Sequence, residues 1–221
     1  MIRESFVVVA IDGGAASGKS TTANELAKKL NLLHIDTGSH YRAVCHVMTA
    51  KGIDANHNQL SSLLEELALE TLVRGNQAHL CIEGKELAAT DLRSREINDQ
   101  VSHFAAKTSV RNKLLNYQRG QKKVALQNGF SGLVMEGRDI GSVVFPEAEV
   151  KVFLKAEQRE REKRRSAEGG IDSIGKRDEL DTDRKNAPLS CPDDAFVIDT
   201  VEYDIGGVVS LISELINQAK S

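Results

Sequence analysis

The sequence predicts an α/β domain in which a central parallel sheet carries helices on both sides. Three observations point to it. Residues 6–12 (FVVVAID) form an unbroken, β-branched run, the pattern of a strand buried on both faces. Lys19–Leu30 then places Ala23, Leu26, Ala27 and Leu30 at helical spacing. Leu32–Asp36 (LLHID) is a second short apolar strand, so strand and helix alternate.

The later elements follow in order. Residues 39–50 are predicted helical. Residues 67–83 hold two short strands, LALETLV and QAHLCIE, with turn signals at Gly75-Asn76 and Gly84-Lys85. They predict a small antiparallel insertion. Residues 93–127 are long, charged and helical. Residues 133–136 (LVME) and 150–154 (VKVFL) are further buried strands, and 195–199 (AFVID) is the last. Ile205–Ala219 closes the chain as an amphipathic helix. Residues 168–185 are polar and contain glycines, which predicts a mobile, loop-rich segment rather than core.

Composition narrows the function classes. The 221 residues carry 29 Lys and Arg against 32 Asp and Glu, a net charge of −3. That argues against a strongly basic nucleic-acid binder. Six Phe, three Tyr and no Trp leave no aromatic platform for stacking bases. The length suits one globular domain with an insertion, able to bury a core without disulfides or metals. No apolar run reaches the roughly 18 residues of a membrane span. The opening MIRESFVVVAIDGG runs into glycines rather than a small-residue cleavage site, so no signal peptide is predicted. Cys45, Cys81 and Cys191 are far apart and odd in number, which predicts reduced thiols in a cytoplasmic protein. The six His are scattered without metal-ligand spacing.

One motif carries chemistry. Gly13-Gly14-Ala15-Ala16-Ser17-Gly18-Lys19-Ser20 fits G-x-x-x-x-G-K-[ST] between a predicted strand and a predicted helix. A helix N-terminus presents unpaired N–H groups and the positive end of a dipole. Glycines let the backbone curl closely around an anion. Lys19 brings a point charge to the β- and γ-phosphates, and the Ser20 hydroxyl can ligate Mg²⁺. The chain is therefore expected to bind a nucleoside triphosphate and to transfer or hydrolyse its phosphoryl group. A Ras-type GTPase would carry N-K-x-D, but Asn112-Lys113 continues with Leu-Leu. No LSGGQ-like run of a transporter ATPase is present. The short chain points instead to a kinase of a small acceptor.

IDGGAASGKSTTANELAKKL, IDTGSHYRAV, EGRDIGSVVFPEAEVKVFL and KRDELDTDRKNAPL occur in that order. Together they resemble the bacterial cytidylate kinase (CMP/dCMP kinase) family from about residue 8 to residue 209. The phosphate loop alone is generic; GRDIG-VVFP and RD-x-x-D-x-x-R are the more specific parts. The resemblance implies a P-loop three-layer fold with an inserted monophosphate-binding domain and a short lid. On that division residues 1–60 and 101–221 form the core, 61–100 the insert and about 157–186 the lid. It also implies phosphoryl transfer from ATP to CMP or dCMP with Mg²⁺, by a monomeric cytoplasmic enzyme without nucleic-acid or membrane partners. Two positions depart from the family. Gly14 stands where Pro is usual, which loosens the turn and leaves the phosphate ligands untouched. Leu180 stands where some members carry a charge.

Site residues follow from the same resemblance. Residues Gly13 to Ser20, with Thr21, are implied in ATP binding, and Lys19, Arg138 and Arg177 in catalysis. Arg42 and Arg138 would hold the acceptor phosphate. Ser102 and Arg111 would donate to the pyrimidine O2 and N3, and Asp139 would accept from the cytosine amino group. Arg177 would bridge the two phosphates, while Asp181 and Arg184 would meet the sugar. Each has a plainer alternative. Arg42 could be a solvated helix arginine, and Thr37 a helix cap as readily as a hydroxyl near the acceptor. Ser102 and Arg111 could be ordinary helix surface, and Arg138-Asp139 a surface ion pair. Arg177, Asp181 and Arg184 share one helical face, as a salt-bridged surface would. Residues 159–165 read as a solvated helix with Glu157–Arg161 and Glu160–Arg164 pairs and some contacts to ATP. Asp12 and Asp36 end strands beside the loop and stay unassigned between a Mg²⁺ water and a cap. Kinases of UMP, AMP or shikimate, and a non-catalytic nucleotide-responsive module, are the rival readings.

Overall fold

The computed structural model describes residues 6–167 and 174–220; the side chains of Lys176 and Arg177 also lie outside the described residues. Strand β1 (Val7–Gly13) is buried along its whole length, as its apolar run requires. Helix α1 (Lys19–Leu30) buries Ala23, Leu26 and Ala27 and ends at Asn31, which is left-handed at φ 50°. Lys28 and Lys29 in its last turn favour the dipole. Strand β2 (Leu32–Asp36) leads into α2 (Thr37–Ala50), capped by the Asp36 carboxylate, which accepts from the Ser39 amide at 3.2 Å.

A short helix α3 (Leu60–Glu66) precedes the hairpin of β3 (Leu69–Arg74) and β4 (Gln77–Ile82), which pair antiparallel as the turn signals predict. The two-residue β5 (Lys85–Glu86) pairs with β4. Helices α4 (Ala89–Leu92), α5 (Arg95–Ala105) and α6 (Thr108–Gln127) follow. Beyond them come β6 (Gly132–Gly137), a π-helical turn over Ile140–Val144, and β7 (Val150–Lys155). Helices α7 (Gln158–Ala167) and α8 (Ile174–Thr182), strand β8 (Phe196–Asp199) and α9 (Ile205–Ala219) complete the described chain.

The strands form one sheet. Its parallel centre runs β2-β6-β1-β7-β8, and the hairpin joins β2 through a single bridge, His34 to Gln77. On one face Ala23 and Leu26 of α1 and Val208, Ile212 and Ile216 of α9 pack against β1 and β7. On the other, Ala125 of α6 and residues 140–145 pack against β1 and β6. A further apolar cluster joins α2, α3, α5 and α6 around Met48, Phe104 and Leu114.

Three expectations need correction. Residues 93–127 are two helices, not one. Ser94 caps α5, and the extended Lys107 (ψ 127°) restarts the chain as the N-cap of α6. The loop-rich reading of 168–185 fails over Ile174–Thr182, because α8 forms there and buries Ile174 and Asp181. Ion pairs rather than apolar spacing hold that helix, so hydropathy misses it; residues 168–173 lie outside the described residues. The i,i+4 pairs expected in α7 are replaced by other partners. Arg161 pairs with Asp178, Arg164 donates to the Thr200 carbonyl and hydroxyl, and Glu160 pairs with Lys163. The three cysteines are free thiols. Among the described residues, no helix is long and apolar enough to cross a membrane.

Close approach of the central strands requires missing side chains. A Cβ on Gly132 would lie 2.2 Å from the Val7 carbonyl oxygen. Helical Gly120, in contrast, has open space around it. Gly132→Ala is therefore expected to destabilise the fold by about 1–3 kcal/mol through overpacking. Gly120→Ala should stabilise it by roughly 0.5–1 kcal/mol through lower chain entropy in the unfolded state. Urea denaturation of both variants checks the opposite signs; two changes of one sign would contradict this account of the sheet centre.

Candidate active site

Parallel strands β1 and β6 lie side by side, with Asp12 opposite Gly137. Their carboxyl ends therefore open into one space, the usual ligand position in an α/β sheet. A cavity of about 710 Å³ occupies it, within the range of small-molecule sites. The loop after β1 turns its backbone through left-handed Ala16 (φ 55°) and Gly18 (φ 92°). Such alternation aims successive N–H groups inward and makes an anion-binding concavity. Ala15 to Thr21 line the cavity; Gly13 and Gly14 lie behind them, against Leu154 and the Arg161–Asp178 pair.

Lys19 is buried and folds back on its own loop, donating to the Gly14 carbonyl at 2.6 Å and to Ser17 Oγ at 3.4 Å. Burial and the nearby Arg138 push its ammonium down to about 7. An ammonium held so close to neutrality is poised to take an anionic partner. Ser20 donates to Glu136 Oε2 at 2.8 Å, and the second oxygen of that buried carboxylate meets His34 Nε2 at 2.9 Å. Glu136 and His34 were not assigned from sequence, because both read as members of apolar strands. A carboxylate at the end of a strand beside the phosphate-loop strand was the available signal. Asp12 spends both oxygens on main chain, accepting from Ile140 N at 2.8 Å and Gly141 N at 2.7 Å. Burial nevertheless raises its carboxyl to about 6.

The opposite wall is a charged cluster. Arg111 pairs with Asp139, and Arg138 and Arg184 both pair with Asp181, the first through Nε at 3.0 Å. Ser102 donates to Asp181 Oδ1 at 3.2 Å. Three guanidiniums face two carboxylates, all at least four-fifths buried, so the cluster carries surplus positive charge in a poorly solvated place. Burial raises the Asp139 carboxyl, against the pull of Arg111. Burial also lowers Arg184, whose Nε has no partner among the described residues. The Arg111 guanidinium lies 5.5 Å from the Tyr41 ring centre.

The structure thus brings Thr37, Arg42, Ser102, Arg138, Asp139, Asp181 and Arg184 to one cavity, with Arg111 beneath Asp139. Arg42 is held by Asn98 Oδ1 at 2.6 Å and the Leu92 carbonyl at 3.0 Å, so it is no loose surface arginine. Thr37 is not the cap of α2; Asp36 is, and Thr37 donates to the Glu136 carbonyl at 2.7 Å. Arg177 lies on α8, with its side chain outside the described residues. Asn98 and Asp178 were also missed, the first for lack of any charge signal and the second because it adjoins Arg177 in a polar segment. Among the described residues, no group of three or more His, Cys, Asp or Glu is arranged to hold a metal.

Known proteins resemble this chain in sequence and in fold. A family model described as cytidylate kinase matches residues 9–218. A cytidylate kinase of Geobacillus sp. is 42% identical over 95% of this chain and 96% of its own. That of Bacillus subtilis is 36% identical over 97% and 98%. Among solved structures, a protein from Eubacterium ventriosum aligns with a TM-score of 0.51 at 14% identity, over 96% of this chain and 98% of that one. That last likeness concerns the fold alone.

Helix α2, which carries Arg42, also buries His40 edge-on against Tyr117, with Nδ1 unpartnered among the described residues. Burial lowers its imidazole from 6.5 to about 4. A group whose folded pKa is depressed supports the fold above its unfolded pKa and loses that support as pH falls towards the folded one. Between pH 7 and pH 5, His40 should therefore remove about 2 kcal/mol of stability. His40→Leu should lack this increment. Urea melts of both proteins at the two pH values measure it, and parallel losses would acquit His40.

Proposed function

Because the chain belongs to the cytidylate kinase family, we propose that it transfers the γ-phosphoryl group of ATP to CMP or dCMP, releasing ADP and CDP or dCDP. The observation that carries this reading is the single cavity with Lys19 and Ser20 at one wall and the Arg111–Asp139 and Arg138–Asp181–Arg184 cluster at the other. One wall suits a triphosphate; the other suits a second, smaller anion with a polar base.

Residues Gly13 to Thr21 are assigned to ATP. Backbone N–H groups of the loop hold the phosphate oxygens, and Lys19 leaves its loop carbonyl for the β- and γ-phosphates. The donor set near Ser20 fits Mg²⁺, which prefers oxygen and keeps several waters: a hydroxyl exposed to the cavity, with the Glu136 carboxylate 2.8 Å away. Ser20 would ligate the ion and Glu136 would fix the hydroxyl. When bound, Mg²⁺ neutralises charge on the transferring group.

Arg42 and Arg138 are assigned to the acceptor phosphate, and Arg177 to the bridge between the two phosphates. Thr37 supplies a hydroxyl on the same side. Ser102 and Arg111 are assigned to the pyrimidine O2 and N3, Asp139 to the exocyclic amino group, and Asp181 and Arg184 to the sugar. Alignment of two anions and stabilisation of spread charge accomplish most of this reaction. Water must be kept out, or ATP would be hydrolysed. We assign residues 61–100 to an acceptor-binding insert and about 157–186 to a lid over a core of 1–60 and 101–221. The same family reading implies a cytoplasmic monomer without nucleic-acid or membrane partners.

Lys19→Ala should lower turnover on the order of 10²-fold or more while the protein stays folded, as loss of one preorganised charge does. Near-normal turnover would contradict the donor site. Base choice tests the acceptor site. At neutral pH a carboxylate only accepts hydrogen bonds, and uracil has a carbonyl where cytosine has an amino group. UMP would leave a buried acceptor unsatisfied, at about 1–3 kcal/mol or more, and sites of this kind discriminate by up to roughly 10⁴-fold. In a coupled ADP-release assay, kcat/KM for CMP should far exceed that for UMP, and Asp139→Asn should narrow the gap. An unchanged ratio would remove Asp139 from base recognition.

A further inference from the structure

Helix α8 touches both walls of the cavity. On the phosphate-loop side, Asp178 Oδ1 accepts from the Ala15 amide at 3.0 Å, and Oδ2 pairs with Arg161 of α7. The same guanidinium donates to the Ala15 carbonyl at 3.1 Å and, through Nε, to the Ala156 carbonyl at 3.0 Å. Both main-chain groups of Ala15 are thus gripped by one ion pair. Three residues further along α8, Asp181 is bound by Ser102, Arg138 and Arg184. Positions i and i+3 lie on one helical face. A single turn of helix therefore carries one carboxylate on the donor loop and another in the acceptor cluster.

The ion pair that grips Ala15 also passes close to Gly14. A Cβ at Gly14 would lie 2.8 Å from Arg161 Nη1 and 3.0 Å from Asp178 Oδ2. Gly14 is not among the residues with positive φ, and both atoms are the far ends of side chains, so a Cβ there would displace the tips of the ion pair rather than the backbone. Arg161 and Asp178 are also only 12% and 17% exposed, so their attraction is little screened. Arg161 offsets the charge of Asp178, which lets a carboxylate sit beside a triphosphate site.

On the reading of the chain as a CMP kinase, we propose that Asp178 and Arg161 are positioning residues that couple the two substrates. A nucleotide that orders the loop fixes Ala15, and Ala15 seats α8. Seated α8 holds Asp181, and with it Arg138 and Arg184, in the geometry that receives the monophosphate. The coupling runs equally in reverse, since the two binding free energies are linked.

Calorimetric titration of CMP into the whole protein, with and without a saturating non-hydrolysable ATP analogue and Mg²⁺, reads the coupling as a ratio of two dissociation constants. Wild type should bind CMP about fivefold or more tightly with the analogue present. Asp178→Ala should bring the ratio to within about twofold of one, and Asp178→Asn, which keeps an acceptor for the Ala15 amide, should restore part of it. Arg161→Ala, which removes the partner of Asp178 and the donor to the Ala15 carbonyl, attacks the same contact from α7 and decides the matter if Asp178→Ala does not fold. A wild-type ratio of one, or variant ratios equal to wild type, would overturn the coupling. Failure of wild type to phosphorylate CMP would overturn the kinase reading itself, a separate outcome of the same preparation.

Discussion

The parallel pairing of β1 with β6 is the constraint on which the cavity depends. Register places Ile11 beside Glu136 and Asp12 beside Gly137. The phosphate loop and the Glu136–Asp139 stretch therefore leave the sheet together, although they are remote in sequence. Asp12 fixes their relation further by accepting the Ile140 and Gly141 amides across the gap. A charged side chain held so deeply is expensive, and its raised carboxyl records the cost. The reward is geometric: a donor loop and an acceptor wall whose separation is set by neighbouring backbones rather than by mobile surface.

The acceptor wall is a poor device for stability. Buried ion pairs commonly return less than the desolvation they demand. Here Arg111, Arg138 and Arg184 outnumber Asp139 and Asp181, and Arg184 Nε has no partner among the described residues. Such an arrangement makes sense when an anion completes it. A phosphate would supply the missing charge and acceptors. Stability given up inside such a cluster would be recovered as affinity for an anion.

Legibility in the sequence followed the range of the interactions. The donor loop is eight consecutive residues acting largely through backbone, so residue type and spacing announce it. Strands β1 and β2 and helices α1 and α9 were equally plain, because each buries a regular apolar pattern. The acceptor wall draws on α2, α5, α6, β6 and α8, and no local pattern relates them. Spacing alone cannot distinguish buried Asp181 from exposed Asp183 two residues later. Only family resemblance grouped Ser102 with Asp139. Residues that act through others escaped even that: Glu136 and His34 hid inside apolar strands, and Asn98, which holds Arg42, has no charge to advertise it. Helix α8 was misread because ion pairs, which hydropathy does not register, hold it in place.

The placement of β1 at the middle of the sheet also bears on how the protein is made. Val7 pairs with Gly132 and Val9 with Val150, so neither flank of β1 exists until most of the chain has been synthesised. At roughly 5–20 residues per second, a ribosome needs on the order of ten seconds to deliver them. Throughout that interval an apolar strand with two unpaired edges waits in solution, the very kind of segment that aggregates. The hairpin of β3 and β4 and the α2–α3 layer can form meanwhile from nearby sequence. Assembly of the nascent chain is therefore expected to proceed from the periphery inward, with the glycine-rich loop after β1 among the last parts to take shape.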